Sequence, residues 1–101
     1  MRLPDGQTSG NHRSVNVVAV ENMQIKVAIV DDDEGIRSGL ATLIRRASNL
    51  RLLGDYPDAE TALKEIPRHP PDVVLMDINM PGMKGVECVR QLKATLPEVQ
   101  F

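Results

Sequence analysis

The sequence holds one cysteine, Cys88, and two histidines, His12 and His69, in 101 residues. A single thiol cannot close an internal disulfide, and neither histidine has a second soft ligand at the spacing of a zinc site. A reducing, cytoplasmic setting is implied. Long apolar runs are also missing: Ile25 to Val30 and Val73 to Met76 fall far short of the roughly 18 to 20 residues that span a bilayer. The run from Val15 to Val20 is interrupted by Asn16 and stopped by Glu21, so it lacks a signal peptide's apolar core. Excess positive charge is absent as well. A formal net charge of -2 and a pI near 5.6 provide no basic field to draw the chain to nucleic acid, so neither direct nucleic-acid binding nor membrane insertion is expected.

What remains is the composition of one small globular domain, 42% hydrophobic and 26% charged. Residues 1–22, with Pro4, Gly6 and Gly10 among polar neighbours, read as a mobile tail. A short β-branched strand over Val15 to Val20 is the alternative there. From residue 23 onward the pattern changes. The nearly continuous apolar run Ile25 to Val30, ending in Asp31-Asp32-Asp33, predicts a strand buried on both faces. Ile36, Leu40, Leu43, Ile44 and Ala47 recur at helical spacing and predict an inward face for a helix over about 34 to 47. Leu50 to Gly54 reads as a second strand, followed by a helix capped by Asp58, carrying Ala59, Ala62, Leu63 and Ile66, and ended by Pro67. Asp72 to Asp77 reads as a third strand. A Pro81-Gly82 turn then leads to a helix over about 84 to 95 with Val86, Val89 and Leu92 inward, and Val99 to Phe101 opens a fourth strand. Alternation of this kind, with strands that need cover on both faces, predicts an α/β fold: a doubly wound parallel sheet whose ligands bind at the carboxyl ends of the strands.

The acidic residues lie at those ends. If the first and third strands are neighbours, about 4.8 Å apart, Asp31, Asp32 and Asp77 converge in one cleft. Clustered like charges disfavour one another's ionised forms, and a hard divalent cation relieves this by accepting oxygen ligands while keeping several waters. Magnesium suits such a set, and a carboxylate beside it is a competent nucleophile toward a phosphoryl group. Any one of these acids is equally well explained as the cap of the following helix. Capping does not, however, call for two acids at one strand end and a third at another, followed by the tight turn Met80-Pro81-Gly82.

At these residues the chain resembles the receiver domains of two-component response regulators. Val27-Ala-Ile-Val-Asp-Asp32 is similar to that family's first strand and acidic pair, and Leu75-Met-Asp-Ile-Asn-Met-Pro-Gly-Met-Lys-Gly85 to its phosphorylation segment. The resemblance runs from about Ile25 to Phe101. It implies an incomplete flavodoxin-like sheet and a phosphorelay role in which Asp77 accepts a phosphoryl group from a sensor histidine kinase. It further implies Asp32 as a direct magnesium ligand, Asp31 as its water-mediated partner, and Asn79 as the donor of a backbone carbonyl. A protein of this kind takes part in its own modification and is not counted as an enzyme. Pro71-Asp72 and the Met-Pro-Gly-Met turn are most similar to regulators with a C-terminal helix-turn-helix domain, and Met23-Gln-Ile-Lys-Val is similar to the family's usual start.

The chain reaches only the beginning of the fourth of the family's five strands. The family's later Ser or Thr, Lys and aromatic switch residue therefore have no counterpart, since Lys84 and Thr95 read as solvated surface. An apolar side of strands one and three is expected to lie uncovered, leaving the chain partly disordered on its own. Two rival activities carry less of the sequence. A haloacid-dehalogenase-like phosphatase would use Asp31 as nucleophile and Asp33 as acid/base, but Glu34 and Gly35 fit that motif poorly and Asp77 is left unexplained. A calcium loop would need alternating oxygen ligands and a terminal Glu, which are missing. An inert fragment that keeps only a partner-binding surface stays open, as does pairing with a second copy. Met76, Met80 and Met83 read as packing, His12 and His69 as surface, and Cys88 as partly buried.

Overall fold

The computed structural model describes residues 24–101. The expected tail over residues 1–22 and its alternative strand lie outside the described residues. Three strands, β1 (Ile25–Val30), β2 (Leu50–Tyr56) and β3 (Val73–Met76), form a parallel sheet in the order β2-β1-β3. Three helices connect and cover them: α1 (Glu34–Arg46), α2 (Ala59–Glu65) and α3 (Gly85–Thr95). Pro67 does not follow α2 directly; it sits inside a 3-10 turn, Ile66–Arg68, that extends the helix. A fourth strand begins as predicted, as a single parallel bridge between Val73 and Gln100, closed by Val74 N–H to Gln100 O at 2.8 Å and Gln100 N–H to Asp72 O at 3.0 Å.

β1 is central, so its side chains go alternately to two cores. Val27 and Ile29 pack with Ala41 and Ile44 of α1. Ala28 and Val30 pack on the other face with Ala59 and Ala62 of α2, Ile66, and Cys88 and Leu92 of α3. The chain thus winds to one side of β1 through α1 and to the other through α2, which places the reversal of winding between β1 and β3.

The register of β2 contains an irregularity with consequences for that winding. Val27 faces Leu52, but Ala28 faces Gly54, so the pairing skips Leu53. Beyond the skip, Asp55 faces Ile29 and Tyr56 faces Val30. Since paired residues of neighbouring strands share a face, Asp55 is directed to the α1 side and Tyr56 to the opposite core.

Four expectations about burial need correction. In α1 the residues against the sheet follow the line Arg37, Ala41, Ile44, so Ile36 and Leu43 fall on the flank and are 53% and 65% exposed. In α3 the seam is Gly85, Cys88, Leu92, which leaves Val86 66% exposed. A narrow sheet accepts only one helical stripe, and small residues on that stripe allow the closest approach. Nor is β1 uncovered beyond its start: Val27 to Val30 are all buried, and the exposed large apolar residues of the sheet are Ile25 at the beginning of β1, 41% exposed, and Leu75 of β3, 40% exposed. Cys88 is fully rather than partly buried, its thiol 3.8 Å from the Ala59 carbonyl, and burial pushes its pKa up to about 11.

The caps behave as the sequence indicates. Asp58 Oδ1 accepts the Thr61 N–H at 2.7 Å, and hydrogen bonds from the Thr61 side chain and backbone hold its carboxyl below the ordinary value of 3.8. A folded-state pKa lowered in this way contributes stability above the unfolded value, and that contribution disappears as pH falls through the folded value. Asp58→Ala is expected to cost about 1 kcal/mol in a urea titration at neutral pH. Asp58→Asn, which keeps an acceptor, should instead flatten the acid limb of the stability profile below the ordinary carboxyl pKa.

Candidate functional site

Val30 of β1 stands opposite Met76 of β3, so the next residue of each, Asp31 and Asp77, leaves the sheet at the same level. Both exits are held by the backbone: Asp77 N–H donates to Val30 O at 2.9 Å and Asp31 N–H to Tyr56 O at 3.1 Å. Oxygens of the Asp31, Asp32 and Asp77 carboxylates consequently lie within 4.8 Å of one another. Asp31 is only 9% exposed, whereas Asp77 is half-buried and Asp32 exposed.

Asp33 has a different role. Its Oδ1 accepts Ile36 N–H at 3.0 Å as the cap of α1, and its own N–H donates to Asp31 Oδ1 at 2.9 Å. Helix capping, the simpler explanation available to each acid of the run, therefore applies to Asp33 and not to Asp31 or Asp32. Asp33 is occupied by the helix it starts, which leaves the Asp31–Asp33 pair of a phosphatase unformed. Asn79 is exposed and acts on Asp77 through its N–H, which donates to Asp77 Oδ1 at 2.9 Å. Asp77 Oδ2 has no hydrogen-bond partner among the described residues.

The loop beyond Asp77 is tied at three further points. Met80 is buried in the core beneath α2 and α3, and Gly82 turns the chain with φ at 76°, a left-handed conformation that favours glycine. Gly85, the first residue of α3, lies against the backbone of the site: a Cβ there would overlap the Asp77 carbonyl oxygen and fall 2.7 Å from Ile78 Cα. Lys84 and Thr95 are exposed, as is His69.

One residue that the sequence did not single out belongs to this site. Arg37 donates from Nε to Asp55 Oδ1 at 3.1 Å and from Nη1 to the Asp31 carbonyl at 2.8 Å. Only the skipped Leu53 brings Asp55 to that face, and no spacing rule announces the skip.

A depression of about 170 Å³ adjoins the carboxylates, lined by Asp31 and Asp77 and by Leu40 and Leu75. The larger hollow, about 450 Å³, lies at the other end of β3 among Pro70, Pro71, Pro97 and Val99. Its Asp72 carboxylate already accepts Lys26 N–H at 2.8 Å, so it contributes a structural bond there.

An acidic cluster at the reversal of a doubly wound parallel sheet defines an α/β domain with a site made of hard oxygen donors. Residues 27–101 match the family model of the response regulator receiver domain, and the chain belongs to that family. It is 35% identical to the transcriptional regulatory protein DegU of Brevibacillus brevis over 81 residues, 80% of this chain and 34% of that protein. It is 36% identical to the response regulator GacA of Pseudomonas syringae over 76 residues, 75% of this chain and 36% of that one. Among solved structures, the response regulator domain of Thermotoga maritima CheB superposes with a TM-score of 0.70 at 30% identity, covering 73% of this chain and 55% of that one. The chain thus spans about a third of the length of these curated relatives and about half of that solved domain.

Gly85→Ala is expected to displace the Asp77–Asn79 segment and to destabilise the fold by about 1 to 3 kcal/mol, the usual range for overpacking. Amide resonances of Asp77 and Asn79 should shift more than those of β2, which the substitution does not touch.

Proposed function

We propose that this chain is the phosphoacceptor module of a two-component phosphorelay. In this reading Asp77 takes a phosphoryl group from the phosphohistidine of a sensor histidine kinase or from a small acyl phosphate. The observation that carries the reading is the convergence of the Asp31, Asp32 and Asp77 oxygens within 4.8 Å at the ends of adjacent strands. Hard carboxylate oxygens gathered this closely are the donor set that a divalent ion such as magnesium takes. Asp31, Asp32 and Asp77, with the Asn79 carbonyl, are the residues that would hold it.

Magnesium, when bound, offsets the charge of the carboxylates and of the transferring phosphoryl oxygens. The protein's own part is positioning. With Asp77 Oδ1 held by the Asn79 N–H, Oδ2 is the oxygen left for in-line attack. The Oδ2–phosphorus bond forms as the phosphorus–nitrogen bond of the phosphohistidine breaks; the electron pair of that bond stays with the imidazole, which takes a proton from water. An aspartyl phosphate results. The protein is consumed stoichiometrically in this step, so it is a switch rather than a turnover enzyme, and its setting is cytoplasmic. Relatives such as DegU are named as transcriptional regulators and extend well beyond the matched part. We assign the output, a helix-turn-helix domain by the resemblance of the Pro71-Asp72 and Met80–Met83 segments, to that further length.

Incubation with magnesium and acetyl phosphate, followed by peptide mass spectrometry, is expected to find one phosphoryl group on Asp77. Asp77→Asn or removal of magnesium with a chelator should abolish it. An adduct on Asp31 with steady release of phosphate would instead favour the phosphatase, and no adduct at all an inert, partner-binding fragment.

A further inference from the structure

Among the described residues, Arg37 is the one cation whose side chain is fixed at two points beside the carboxylates. Its side chain is 16% exposed, and its two bonds reach different elements: Nε holds Asp55 at the end of β2, and Nη1 holds the carbonyl of Asp31. That carbonyl belongs to the peptide plane joining Asp31 to Asp32. On the other side of the Asp31 Cα, the Asp31 N–H is fixed to Tyr56 O. The backbone that carries both carboxylates is therefore anchored to β2 twice, once directly and once through Arg37 and Asp55. Rotation of the 31–32 peptide would swing both acids, and Arg37 is the side chain that opposes it.

We propose that Arg37 is a positioning residue for the cation site: it sets the direction of the Asp31–Asp32 peptide, using Asp55 as its anchor. The inference rests on the magnesium reading of the site given above. A planar guanidinium presents Nε and Nη1 in a fixed fork, so one side chain serves two acceptors at once. A lysine keeps the charge but offers a single point of attachment. Groups that orient the direct ligands of a metal govern its affinity in the same way even though they do not touch it.

The test titrates magnesium chloride into the 101-residue chain and its variants by calorimetry. In parallel, the thermal midpoint and the Asp31 carbonyl ¹³C resonance are measured without metal. Arg37→Lys is expected to bind magnesium roughly tenfold more weakly, with a displaced Asp31 carbonyl resonance and a thermal midpoint close to that of the unaltered chain. Asp55→Ala, which frees the anchor but leaves the guanidinium, should show a smaller loss in the same direction, and Arg45→Lys on the same helix none. If the unaltered chain binds magnesium and Arg37→Lys binds it equally well, the positioning role is wrong while the site stands. Weakening that merely follows the unfolded fraction overturns it too, since that is the signature of a structural residue. Failure of the unaltered chain to bind magnesium would overturn the reading of the site itself, and the role of Arg37 with it.

Discussion

Three carboxylates brought within 4.8 Å repel one another, and much of the fold around the ends of β1 and β3 works against that repulsion. Side chains alone would relax it by turning outward, so the arrangement depends on backbone that cannot turn. The Asp31 and Asp77 amides continue the sheet's bonding one residue past the last paired positions. Peptide N–H groups of Asp33 and Asn79 then take one oxygen each of Asp31 and Asp77. Among the described residues, the partial positive charge of these amides is the counterweight placed directly on those oxygens.

This dependence explains why, apart from Arg37 and Asp55, the supporting residues are small or buried. Gly85 brings the start of α3 against the Asp77 carbonyl, where any side chain would push the loop away. Met80 fixes the middle of the same loop in the core. Val30 and Val74 close the β-sheet beneath the site on the α2–α3 face, while Ile29 closes it on the α1 face. Stiffness at the acidic end is thus inherited from apolar packing below it.

A good share of this was legible in the sequence because it rests on local rules. Period and punctuation located all three strands and three helices, and the opening of a fourth strand at Gln100, since each is set by near-neighbour chemistry such as the Asp58 cap and the Pro81-Gly82 turn. The convergence of Asp31, Asp32 and Asp77 followed from strand ends once the first and third strands were taken as neighbours. The choice of buried stripe on α1 and α3 did not follow, because Ile36, Leu43 and Val86 are apolar yet lie beside the seam, and the seam is decided by how closely helix and sheet approach. Arg37 was illegible for a similar reason. Its partner Asp55 is 18 residues away, and the face that Asp55 occupies depends on the register of a strand pair.

The skipped pairing at Leu53 lets β2 carry one residue more than the stretch of β1 it faces. On either side of it Leu52 and Tyr56 serve opposite cores, and leaving Leu53 unpaired decides which side Asp55 joins. A strand that lost Leu53 would pair with β1 residue for residue and keep Asp55 opposite Ile29, whereas a regular pairing that retained Leu53 would hand Asp55 to the wrong layer. Leu53 is accordingly the spare link of β2, and the strand keeps Asp55 in its layer by leaving that link unpaired.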